Sequence, residues 1–214
     1  MKNLKFGPII CKSLLLLSII LLCLESNAQI MKGTSVISGD LYAQYRTNED
    51  NAGTSKYLDF SITPSIGYFL AQNFSLNVAL SASYTNYTTP SALGDSKNNS
   101  LGYNFTPYIK FYKTVTDKFY LNLQVFFLYG LRDEKYTPPG GSESKTSYTD
   151  MGMGIRPGFS YFVTDKIAFT SSLGTIGYSL TNDNTNDKKA GQFITSFGFN
   201  SLYFGLSFYL PKKL

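Results

Sequence analysis

The sequence predicts an all-β fold, an antiparallel up-and-down barrel of eight strands. Three observations carry this: long runs of alternating apolar and polar residues, connections that alternate between tight and long, and a hairpin motif that recurs three times.

The alternation is plain in Leu58, Phe60, Ile62, Pro64, Ile66 and Tyr68, interleaved with Asp59, Ser61, Thr63, Ser65 and Gly67. It recurs from Phe74 to Tyr84, from Leu101 to Phe111 and from Phe119 to Tyr129. A period of two places each set on one face of a strand. Such runs exceed the ~5–6 residues usual in globular strands and reach the ~9–11 that cross a bilayer. Eight segments follow, at 34–46, 57–70, 73–87, 101–113, 118–131, 147–163, 166–180 and 192–210. In the seventh the apolar phase shifts near Gly174, and in the eighth near Asn200. A one-residue phase shift predicts a β-bulge at each place.

The connections around 71–72, 114–117 and 164–165 are tight. Those around 47–56, 88–100, 132–146 and 181–191 are long and rich in Asn, Asp, Gly, Ser and Lys. Short periplasmic turns and long extracellular loops are the asymmetry of a transmembrane β-barrel. The alternative is a soluble sandwich or lipocalin-like barrel, which requires polar residues on the outward phase.

Thr63-Pro64-Ser65-Ile66-Gly67-Tyr68-Phe69, Thr106-Pro107-Tyr108-Ile109-Lys110-Phe111-Tyr112 and Arg156-Pro157-Gly158-Phe159-Ser160-Tyr161-Phe162 form the repeat. Each precedes a short polar turn and a new apolar strand. Each proline falls on the apolar phase. It cannot donate to the ladder, so a bulge or a strand end is expected there. The aromatic pair after it is expected at the membrane interface, and without Trp the girdles must be built from Tyr and Phe.

Lys2, Lys5 and Lys12, the apolar run Leu14–Leu24 and then Ser26, Asn27 and Ala28 predict a cleaved signal peptide over 1–28, leaving the barrel as 29–214. Both cysteines, Cys11 and Cys23, fall inside it. Leu22 before Cys23 does not suit lipidation. The remainder carries 16 basic and 13 acidic residues with no Lys/Arg run longer than two, so nucleic acid is not an expected partner. The chain has no His. That removes Ser-His, Cys-His and His-metal chemistry, and no enzyme activity, cofactor or metal is expected.

The signal peptide, the proline–aromatic hairpins and the last strand Tyr203-Phe204-Gly205-Leu206-Ser207-Phe208-Tyr209-Leu210 together resemble the small outer-membrane β-barrel family, the eight-stranded OmpA-like and porin-like barrels. The resemblance implies export to a Gram-negative-type outer membrane, contact with its lipid and insertion by barrel-assembly machinery. Gly205, Phe208 and Leu210 resemble the terminal signal that this machinery reads. The chain departs from the pattern by ending in Pro211-Lys212-Lys213-Leu214. Barrel enzymes that modify lipid A, phospholipases and outer-membrane proteases rely on His, which this chain lacks.

On the inward phase lie Ser38, Asp40, Tyr42 and Gln44, then Asp59 and Ser61, then Asn104, Tyr108 and Lys110, then Asn122 and Gln124, and finally Asp150 and Arg156. Depth along the strands places Asp40 and Arg156 mid-barrel, Asp59, Asp150 and Arg132 towards the loops, and Lys110 towards the turns. An unpaired buried charge is costly, so a hydrogen-bonded interior network with an Asp40–Arg156 pair is expected. An eight-stranded interior is just wide enough for side chains to fill.

The expected function is structural, or surface interaction through the long loops, with no partner identifiable. The alternatives are a narrow channel for small solutes and a soluble periplasmic ligand-binding barrel. The run Asn182–Asp187 has calcium-type oxygen donors but not EF-hand spacing. Asp133-Glu134 reads as a solvated loop pair. Closure leaves no strand edge to pair, so a monomer is expected.

Overall fold

The computed structural model describes residues 30–50, 53–197 and 203–211. The expected signal peptide and its expected cleavage point lie outside the described residues, as does Asn200. The strands are β1 (Ser35–Asp50), β2 (Gly53–Ala71), β3 (Phe74–Thr89), β4 (Ser96–Thr114), β5 (Phe119–Thr137), β6 (Ser144–Phe162), β7 (Ile167–Ser172), β8 (Gly174–Asp183), β9 (Lys188–Phe197) and β10 (Tyr203–Leu210).

They form a closed barrel of eight antiparallel traverses. Each of β1 to β6 pairs with the next, and β10 joins β1 to β7 and closes the ring. The seventh traverse is β7 followed by β8, both against β6. The eighth is β9 and β10, flanking residues 198–202.

The phase shift near Gly174 is a bulge. Gly158 pairs with Ser172, but Ile155 pairs with Ile176, so Arg156 and Pro157 face one residue more than they can match. Gly174 takes a φ of 146°, a conformation that a side chain would strain. The second shift falls between β9 and β10. Ser196 pairs with inward Thr175 and Gly205 pairs with inward Thr170, so inward residues are even-numbered before the gap and odd-numbered after it.

The proline expectation is met at one position of three. Pro157 faces the bulge. Pro64 and Pro107 instead lie within ladders that skip them: pairing passes from Ile62↔Ala82 to Ser65↔Ala79, and from Phe105↔Tyr129 to Tyr108↔Phe126, with no change of register. Proline itself brings no N–H to satisfy, so the cost at each position is confined to one facing carbonyl.

The polar segments that read as long loops are mostly ladder. β2, β4, β5 and β6 each run 19 residues. Among the described residues the irregular tips are 90–95, 138–143 and 184–187. Ser, Thr and Asn can continue a ladder once the strand leaves lipid, where no apolar outward phase is needed.

Candidate functional site: the lumen and its mouth

The outward phase decides what surrounds the protein. Leu41, Leu80 and Phe204 stand 67%, 58% and 62% exposed, and the outward residues of each traverse follow suit. Tyr45, Tyr84, Tyr103, Tyr129 and Tyr178 project from the loop-side edge of this belt, and Tyr68, Phe111, Tyr161 and Phe208 from the turn-side edge. A closed barrel with an apolar band between two aromatic girdles is built for lipid. The chain is an eight-stranded transmembrane β-barrel. The soluble alternative is overturned, because it would place polar residues where this barrel carries Leu, Ile and Phe.

At the turn end the barrel is sealed from within. Phe69, Tyr112, Tyr120, Phe162 and Tyr209 are buried on the inward phase. Phe69 lies 5.4 Å from the Tyr112 ring and 6.1 Å from the Tyr209 ring, and Phe162 lies 4.7 Å from Tyr209 and 5.2 Å from Tyr120. The Tyr112 and Tyr209 hydroxyls meet at 3.3 Å. Ile30 covers this cluster, tied down by its N–H to Asn73 Oδ1 at 2.9 Å.

This corrects one expectation. Of each aromatic pair after a proline, only the first member (Tyr68, Phe111, Tyr161) joins the girdle. The second (Phe69, Tyr112, Phe162) turns inward and plugs the lumen. Residue parity carries the signal: five positions separate proline from the second aromatic, and an odd step changes face.

Above the plug the lumen is filled with polar groups. Asn77 Nδ2 donates to Ser75 Oγ at 2.9 Å, Asn122 Nδ2 to Ser160 Oγ at 3.1 Å, and Tyr108 to Ser65 Oγ at 3.3 Å. Among the described residues no buried side-chain nitrogen or oxygen lacks a partner. Lys110 lies 5.6 Å from the Tyr112 ring centroid, just above the plug. Arg156 donates from Nε to Thr175 Oγ1 at 3.2 Å and stacks 4.2 Å from Phe126. Asp40 pairs with Thr63 in the ladder and stands within electrostatic reach of both Lys110 and Arg156.

The other two predicted carboxylates belong to separate groups at the mouth. Asp59 accepts from Tyr57 at 3.1 Å and Thr85 at 3.2 Å. Asp150 accepts from Arg132 Nε at 3.1 Å and Thr181 at 2.6 Å. Arg132 also binds Glu134 and stacks 4.3 Å from Tyr148. So the structure sorts the five charged positions into two tiers: Asp40, Lys110 and Arg156 within the belt, Asp59 and Asp150 at the mouth.

Beyond the belt the β5–β6 hairpin is laced by ion pairs, Lys145–Asp133 at 2.9 Å and Lys135–Glu143 at 3.2 Å. Hydrogen bonds from Ser147 and Lys145 hold the Asp133 carboxyl below the usual carboxylate range. Asp183 caps the turn at 184–187, accepting from the Thr185 and Asn186 N–H groups at 3.0 Å each and from Asn186 Nδ2 at 2.8 Å. Those bonds, the Asn186 side chain first, lower its pKa as well. On β10, Gly205 faces the lumen while Phe208 and Leu210 face lipid.

Neither a protein-family model nor a curated protein matches the sequence. Several solved structures match, among them these three. The attachment invasion locus protein Ail of Yersinia pestis is 17% identical, over 84% of this chain and 100% of that one, with a TM-score of 0.49. The outer membrane protein OprG of Pseudomonas aeruginosa is 12% identical over 85% and 98%, at 0.48. Neisserial surface protein A is 22% identical over 83% and 97%, at 0.35.

Proposed function

We propose that this barrel is a non-enzymatic, non-conducting protein that acts at the cell surface through the ladder and tips it holds above the membrane. The observation that carries this reading is the aromatic plug: Phe69 is fully buried between Tyr112 and Tyr209, where a solute pathway would need open space. Without a pathway, the parts left to act are those facing outward from the cell. The rigid 19-residue strands suit that role, since function commonly sits on loops carried by a stiff scaffold. The barrel acts as a monomer, inserted by assembly machinery that reads Gly205, Phe208 and Leu210.

The test is planar-bilayer recording of the refolded chain. The expected result is no discrete conductance step in the wild type, with steps gained by the Phe69→Ala/Phe162→Ala double variant. Regular steps in the wild type would overturn the reading in favour of a narrow channel.

A further inference from the structure

We propose that the extracellular mouth of the barrel is a binding cup for a neutral pyranose sugar. The inference deepens the surface-interaction reading and rests on it.

The mouth forms an open cavity of about 390 Å³ whose lining includes Tyr57, Tyr87, Asn98, Ser100, Arg132 and Glu134. This falls in the ~300–1,000 Å³ range of small-molecule sites. All six side chains come from the inward phase at and above the loop-side edge of the belt, from β2, β3, β4 and β5. With the turn end plugged, the cavity opens towards the loop end.

The lining matches the two chemistries of a pyranose. One face of such a ring is a patch of C–H groups, and its rim is a circle of hydroxyls. The Tyr57 and Tyr87 rings stand 6.2 Å apart at 65°, an angled pair of apolar surfaces for the C–H face. The Asn98 amide and Ser100 hydroxyl donate and accept, and neither makes a side-chain hydrogen bond within the described residues. They are the groups left for hydroxyls. Tyr57 is held in place by its own hydroxyl on Asp59 and by Arg46, 5.6 Å from its ring centroid.

Charge selects within that class. Arg46 and Arg132 stand against Asp59, Glu134 and Asp150, and Arg132 is already committed to two of these carboxylates. The mouth therefore repels anions, so an acidic sugar is a poor occupant and a neutral one a good occupant.

The test is saturation-transfer NMR on the refolded chain in a detergent without a sugar head group. The probes are the methyl glycosides of glucose, galactose, mannose and N-acetylglucosamine, with methyl glucuronide as the acidic comparison. Saturation on at least one neutral glycoside is expected, weakened tenfold or more by Tyr87→Ala or Ser100→Ala variants that keep the folded-form gel shift, and several-fold weaker for the glucuronide. No transfer to any neutral glycoside at millimolar concentration overturns the proposal, as does equal binding of the glucuronide or indifference to both variants. A second arm repeats the measurement in nanodiscs with and without lipopolysaccharide. Competition by lipopolysaccharide assigns the sugar to the cell's own surface, and its absence assigns it to an outside glycan. Bilayer recording on the same preparation separates the failures: silence in both experiments defeats the sugar cup alone.

Discussion

The Asp40 carboxylate fills the space that a side chain on Gly205 would need: a Cβ there would overlap Asp40 Oδ1. Gly205 thus has a packing role that does not depend on any assembly signal. Gly205→Ala should destabilise the barrel by about 1–3 kcal/mol through overpacking. The check is the urea midpoint of protein refolded in detergent, where no assembly machinery is present. A normal midpoint with poor insertion in cells would assign the glycine to recognition instead.

Phe69→Ala should cost about 3–5 kcal/mol, the usual price of emptying a buried aromatic site. Phe69 is 0% exposed, so little relaxation can refill the space. Phe111→Ala, which removes an outward ring 45% exposed, should cost much less in the same unfolding experiment. Equal losses would show that the plug is not the stabilising cluster.

Arg156→Ala removes the bond to Thr175 and the stacking on Phe126. The expected loss is about 1.5–3 kcal/mol, as for hydrogen bonds to a charged group. It should appear as a lower temperature at which the compact unboiled gel band converts to the boiled form. An unchanged temperature would mean that the mid-lumen tier is not structural.

The Asp183 cap sets a pH dependence. Its pKa is lowered from 3.8 by the bonds it accepts, so the stabilisation is complete above about that value and is lost as pH falls through the lower folded value. The Thr185 and Asn186 amide resonances should titrate together with a midpoint below 3.8. A midpoint at or above it would remove the cap from the account. Asp183→Ala should abolish the titration and speed amide exchange at both residues.

Leu80→Arg places a charge on the lipid face, mid-belt, at a residue 58% exposed. The expected penalty is about 2–4 kcal/mol near the bilayer midplane. Folding yield into vesicles should fall, whereas Thr88→Arg, on the same outward phase above the belt, should leave it unchanged.

Much of this architecture could be read from the chain. Period-two alternation gave the traverses, because lipid favours apolar residues on the outward phase, and the slip between Leu173 and Ile176 located the bulge at Gly174. What escaped had physical reasons. Lys97, Asn98 and Asn99 look like loop because their strand has left lipid and no apolar phase marks it. The plug was hidden because Phe69 and Tyr68 are adjacent and equally aromatic, and only parity from Pro64 separates them. The mouth could be read only in part: parity and depth placed Asp59, Asp150 and Arg132 there, but not the cavity they border. Tyr57, Tyr87, Asn98 and Arg132 lie far apart in sequence, and which residues meet depends on ladder registers that composition does not encode.

Strands of 19 residues have a consequence for how such a protein can change over generations. At about 3.3 Å per residue each is ~63 Å long, and tilted by about 40° it rises well past the ~25 Å apolar band. The height of the outer column is set by strand length, and an insertion within a strand keeps its two faces when it is even-numbered or when a bulge absorbs the odd residue, as at Gly174. The column can therefore telescope by matched pairs in neighbouring strands, keeping its lining and its coat while moving its tips towards or away from the cell.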